Sequence, residues 1–172
     1  MQNKSIYQSA PDYGAPYFDL VESTDLIAEL EKSKQLTLEV FDLVTAENGN
    51  YAYQPGKWTV KEVLKHIIDC ERIYDYRAFR FSRFDPAELA GFDEDKYAEH
   101  IRPIRQTVDE LKREYLSVRE STVQLYKFMT DEMLDFKGTA NHANFTARAI
   151  GFMTVGHNIH HCNFLKKNYF KI

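Results

Sequence analysis

A helix that is apolar on two opposite faces has to be buried on both sides, and residues 146–168, TARAIGFMTVGHNIHHCNFLKKN, read as such a helix. At about 100° per residue, Ile150, Met153 and Phe164 lie within about 40° of His157, so this histidine sits in the middle of a core seam. Phe152, Val155, Ile159 and Cys162 form a second stripe nearly opposite. That second stripe needs a cover, either the N-terminal segment of the chain or a second subunit. The second choice predicts a homodimer through Phe152, Val155 and Ile159.

The remainder of the chain supplies partners for such a helix. Ser23 or Thr24 can cap a first helix running to about Ala46, with Leu26, Ile27, Leu30, Leu38, Phe41 and Val44 on one side. Thr59 and Glu62 have capping-box spacing, so a second helix starts near Val60 and reaches Arg83, with Val60, Val63, Ile67, Cys70, Tyr74, Ala78 and Phe81 as its stripe. Pro103 suits the first turn of a third helix that runs to about Thr130 through Leu111, Tyr115, Val118 and Thr122. The connections at 84–102, with room for a short helical turn, and at 131–145 are long enough for crossovers instead of tight hairpins. These patterns predict an all-α four-helix bundle over residues 21–172, with residues 1–20 as an extended arm lying on it.

Composition narrows the class. A net charge of -4, from 22 basic and 26 acidic residues, argues against a general nucleic-acid binder. Arg77, Arg80 and Arg83, spaced among aromatic residues, suit an anion-binding wall or, more simply, solvated arginines lying over aromatic rings. The longest apolar stretch, Ala149 to Val155, is far short of a membrane span, and the N-terminus has no signal-peptide core. Two cysteines, Cys70 and Cys162, provide no disulfide framework, and both fall in core stripes, which fits a reducing cytoplasm.

Half of the six histidines lie between 157 and 161. His157 and His161 are four residues apart, about 40° and about 6 Å along a helix, so both can address one ion, whereas His160 is about 100° away from His161. A lone histidine in a seam is most often a core residue satisfied by one hydrogen bond. Two neighbouring buried imidazoles are costlier, and a divalent ion satisfies both. Asn158 follows His157 where a metalloprotease helix carries its glutamate, so that motif is absent. Spacing leaves His66, His100 and His142 as alternatives for a third donor. Along the second helix Glu62, Asp69 and Arg77 share an edge with His66, which makes Asp69 a candidate base and Glu62 and Arg77 candidate pocket residues.

The segment WTVKEVLKH at 58–66, followed about ninety residues later by GHNIHH at 156–161, resembles the DinB-like superfamily of metal-binding four-helix bundles. RFSRFDPAELAGFDEDKY at 80–97 and the region 119–125 resemble its DinB_2-type branch. The superfamily includes thiol S-transferases such as the bacillithiol transferases and is unrelated to the DNA polymerase of the same name. The resemblance implies an unusual helix connection order. It also implies a divalent ion, Zn²⁺ or Ni²⁺, held by His66, His157 and His161, with His160 as a neighbour. The activity expected from it is activation of a low-molecular-weight thiol for S-transfer to an electrophile. The alternatives are hydrolysis with water as the nucleophile, or a non-catalytic bundle in which metal stabilises the fold.

Overall fold

The computed structural model describes residues 9–172. A 3₁₀ turn at Asp12–Gly14 leads into a single helical turn, α1 (Ala15–Phe18). Then come α2 (Leu26–Asp42), α3 (Val60–Phe81), a short α4 (Glu94–His100), α5 (Val108–Tyr126), a short α6 (Asp131–Asp135), the strands β1 (Lys137–Ala140) and β2 (Ala143–Thr146), and α7 (Ala147–Leu165). A π-helical turn, Lys166–Phe170, ends the fold.

The bundle consists of α2, α3, α5 and α7. Helix α7 packs against α2 and α3, and α5 packs against the same two. The consecutive helices α2 and α3 therefore face each other across a diagonal, which is why the connection between them is long. The fold class predicted from the sequence is the one observed, with a two-stranded hairpin added.

Local chemistry sets the helix starts. At α3 the Glu62 amide donates to the Thr59 hydroxyl at 3.2 Å, and the Thr59 amide donates back to the Glu62 carboxylate at 2.7 Å, completing the expected capping box. Every residue of the stripe from Val60 to Phe81 is buried. Helix α2 is capped by Asp25, whose carboxylate accepts from the Ala28 amide at 3.0 Å, and not by Ser23 or Thr24; it stops at Asp42. Helix α5 does not begin at Pro103. It begins after Thr107, which forms a second capping box with Glu110 and so satisfies two orphan amides that a proline start leaves bare. The 131–145 connection holds α6 and most of the hairpin. Its turn is Asn141-His142, both with positive φ (50° and 61°), and Leu89 of the preceding connection bridges to Ala140.

The expected extended arm is a correction in part. Residues 1–8 lie outside the described residues, and Asp12–Phe18 is helical, not extended. This segment is what covers the second face of α7. Phe152 and Val155 are buried within the one chain, in a core that includes Phe18 and with Tyr17 and the half-buried Ile159 packed against it, so the dimer surface expected at Phe152 and Val155 is already occupied. A Cβ added to Gly156 would sit 2.1 Å from the Tyr17 carbonyl oxygen, a backbone atom with no room to yield. Gly156→Ala is therefore expected to destabilise the protein by about 1–3 kcal/mol through overpacking and to lift the segment around Tyr17. Urea denaturation together with limited proteolysis reads both effects, and wild-type stability in the variant would refute the contact.

Candidate metal centre

Helix α3 carries His66 and helix α7 carries His157 and His161, and the packing of these two helices brings the three rings together. Nε2 of His157 lies 3.1 Å from Nε2 of His66 and 3.1 Å from Nε2 of His161. All three rings offer nitrogens within 4.8 Å of one another. His66 and His157 are buried and His161 is partly so. Burial is the main reason that all three resist protonation. His66 is pushed down to about 4 and His161 to about 3, in the second case with help from the neighbouring imidazoles. His157 is lowered most, by burial and then by His161, His66 and His160.

Neutral imidazoles in this arrangement cannot satisfy one another. Nε2 of His157 has either one proton or one lone pair, so it can complete one of its two short contacts and not both. A cation facing all three lone pairs removes the conflict. The spacing also fits: two nitrogens each about 2.1 Å from an ion, at an angle of about 95°, are about 3.1 Å apart. The donor set suits a divalent ion that accepts imidazole.

Aromatic rings enclose the triad. Between ring centres, Trp58 lies 4.9 Å from His66 with the rings tilted at 53°, Tyr74 lies 5.7 Å from His157, and Tyr17 lies 5.5 Å from His157 and 5.7 Å from His160. Beside His161 a cavity of about 350 Å³ opens to solvent, lined by Tyr53, Trp58, Asp95, His160, Phe164 and Tyr169 among others. His160 is exposed and sits on that wall, 5.0 Å from His161 between ring centres, as a neighbour of the triad.

The other residues singled out in the sequence have structural duties. Asp69 Oδ1 pairs with Arg72 at 3.2 Å and with Lys65 at 3.5 Å in a network that includes Glu114, and the residue also lines a small hollow with His66, Cys70 and Glu94. Glu62 is held by its capping box and by Arg102 Nε at 2.7 Å. Arg77 donates to the Ala90 carbonyl at 3.0 Å and lies over Phe92, which pins the connection after α3. Arg80 pairs with Asp85 and Arg83 lies over Phe79, so the arginine ridge is spent on its own helix and loop. His100 bonds the Lys96 carbonyl of its own helix, and His142 pairs with Glu88 at the surface, so neither reaches the triad.

Sequence reasoning missed the aromatic enclosure and one carboxylate. Glu94, at the start of α4, lies within 4.8 Å of a His66 ring nitrogen and of the Cys70 sulfur. Trp58 was detectable as the sole tryptophan one residue before a capping box. Glu94 had no such signal, since its place depends on how the 82–107 connection folds over the bundle. Among the described residues, no helix is long and apolar enough to cross a membrane.

The fold resembles the solved structure of YfiT from Bacillus subtilis, described as a probable metal-dependent hydrolase with an unusual four-helix bundle topology. The TM-score is 0.73 at 18% sequence identity, over 86% of this chain and 90% of that one. No functionally curated protein matches the sequence. A family model, DinB_2, described as the DinB superfamily, matches residues 29–165. With that match extending over all four bundle helices and the three histidines, the chain belongs to the DinB superfamily.

Proposed function

We propose that this chain is a metal-dependent enzyme in which His66, His157 and His161 hold a divalent ion, Zn²⁺ or Ni²⁺, and that its reaction is hydrolytic. The observation that carries this reading is the convergence of three uncharged imidazoles whose short Nε2 contacts no arrangement of protons can satisfy. An ion held there supplies Lewis-acid activation of a nucleophile at neutral pH.

The chain's own groups do the rest. Tyr17 and Tyr74 pack against His157 and keep bulk water from the buried side of the triad. The Glu94 carboxylate, within 4.8 Å of a His66 ring nitrogen and in a small hollow shared with Asp69 and Cys70, is the candidate proton acceptor on the His66 side. The cavity beside His161 receives the substrate, with Asp95 and His160 as its polar wall. The fold likeness to YfiT supports the hydrolytic reading.

A second reading is S-transfer, in which a low-molecular-weight thiol replaces water. Tyr53, Trp58, Phe164 and Tyr169 give the cavity an aromatic lining suited to an organic nucleophile or electrophile, and that lining favours it. Metal analysis of the purified protein, followed by assays on activated esters and amides and on an electrophile with several thiols, separates the readings. Turnover that needs metal and no thiol supports hydrolysis; turnover only with thiol supports transfer. Stoichiometric metal retained after both His66→Ala and His157→Ala would sink the site, and bound metal without turnover in either assay would leave a structural ion.

A further inference from the structure

Helices α3 and α5 share a second polar cluster, separate from the histidines. Arg119 is 0% exposed. Its Nε and Nη2 donate to the two carboxylate oxygens of Glu71 at 2.7 and 2.8 Å, and its Nη1 donates to the Leu30 carbonyl at 2.8 Å and to Ser33 Oγ at 2.7 Å. This forked pairing gives each Glu71 carboxylate oxygen a charged donor.

Thr122 then meets more acceptors than it has protons. Its Oγ1 lies 2.6 Å from Glu71 Oε1, 2.8 Å from Asp75 Oδ2 and 3.1 Å from the Val118 carbonyl oxygen. A hydroxyl carries one proton. With both carboxylates ionised, one of the two short O···O contacts would set lone pair against lone pair. Asp75 Oδ1, the other oxygen of that carboxyl, is buried and has no hydrogen-bond partner among the described residues. An ionised Asp75 would have no donor at Oδ1 and a contested one at Oδ2. Protonated on Oδ2, it donates to Thr122, Thr122 donates to Glu71, and each short contact in the row contains one proton.

We propose that Asp75, Thr122 and Glu71 form a proton-sharing latch between α3 and α5, closed while Asp75 keeps its proton and loosened when it ionises. The packing of the helix that carries His66 thereby responds to pH. The charged and titratable groups facing Asp75 are Glu71 on its own helix and Arg119 and Tyr126 on α5. Burial and then the Glu71 charge push Asp75 up to about 7, against smaller opposing effects of Thr122 and Arg119. In the unfolded chain an aspartate titrates near about 3.9. Between those values the folded state binds the extra proton, so the latch contributes fully below about pH 4, loses its contribution as pH rises to about 7, and changes no further above that.

The test compares full-length wild type with Asp75→Asn, whose amide can donate to Thr122 without ionising, by urea denaturation from about pH 5 to about pH 8. The folded-to-unfolded ratio of wild type relative to the variant is expected to fall by up to tenfold per pH unit up to about pH 7 and then level. Infrared spectroscopy of wild-type protein with isotopically labelled aspartate needs no variant. It should show the carbonyl stretch of a protonated carboxylic acid at about pH 6 that disappears by about pH 9. Absence of that band at the lower pH, or a wild-type-to-variant ratio independent of pH, overturns the proposal.

Discussion

Replacing Arg119 with methionine is expected to destabilise the protein by about 3–5 kcal/mol, among the largest effects available to a single residue of this chain. Arg119 has no exposed surface, and its guanidinium satisfies Glu71, the Leu30 carbonyl and Ser33 at once, tying α2 and α3 to α5. Removing it strands a buried carboxylate and leaves a carbonyl without its charged donor. Against a typical total of about 5–15 kcal/mol, the loss is large enough to lower the melting temperature by about 6–20 °C. The cost arises from the stranded partner more than from the pair itself. Adding Glu71→Leu to Arg119→Met should therefore recover a substantial part of the loss instead of adding to it. Thermal denaturation of both single variants and the double variant decides this. Additive losses would mean that the two side chains stabilise the fold independently and that no stranded-partner cost exists.

That network also marks a limit of sequence reading. Ser33 and Thr37 are polar residues at core positions of α2, and both are buried, one against Arg119 and the other donating to Asn158 Oδ1 at 2.8 Å. Polar residues enter a seam only when partners meet them there, and those partners lie 86 and 121 residues away in the chain. The start of α3 and the stripe on it were legible because capping box and periodicity are local. The start of α5 was misread because Pro103 is a conspicuous local signal, although Thr107 and Glu110 carried the capping-box spacing that prevails. The hairpin at 137–146 escaped notice because four-residue strands leave little alternation to detect. At the site, the pairing of His157 with His161 followed from helical angles alone. Choosing His66 over His100 and His142 rested on the resemblance, because no rule of spacing links α3 to α7.

His157→Ala is expected to abolish metal binding at micromolar concentrations, with a loss in affinity beyond the 10–100-fold that an outer-shell change causes. His157 is the hub of the triad: 4% exposed, its Nε2 is 3.1 Å from the corresponding atom of each of the other two rings. Without it, His66 and His161 remain on different helices as two ligands with no shared neighbour. The same variant should change how the metal-free protein responds to acid. In the unfolded chain histidines protonate near about 6.5, whereas in the fold His66 does so at about 4 and His161 at about 3, with His157 also well below the ordinary value. The unfolded state therefore binds more protons as pH falls below about 6.5. Stability drops by up to about 1.4 kcal/mol per pH unit for each buried histidine until that histidine protonates in the fold. Removing His157 takes away one of three such contributions, so the stability of the metal-free variant should fall less steeply with acid than that of wild type. Chelator should lower the melting temperature of wild type at neutral pH, by mass action on the folded state, and leave His157→Ala unchanged. Calorimetric titration with Zn²⁺ and with Ni²⁺, and melting curves with and without chelator across the acid range, read all three effects. Undiminished metal affinity in His157→Ala would place the ion elsewhere.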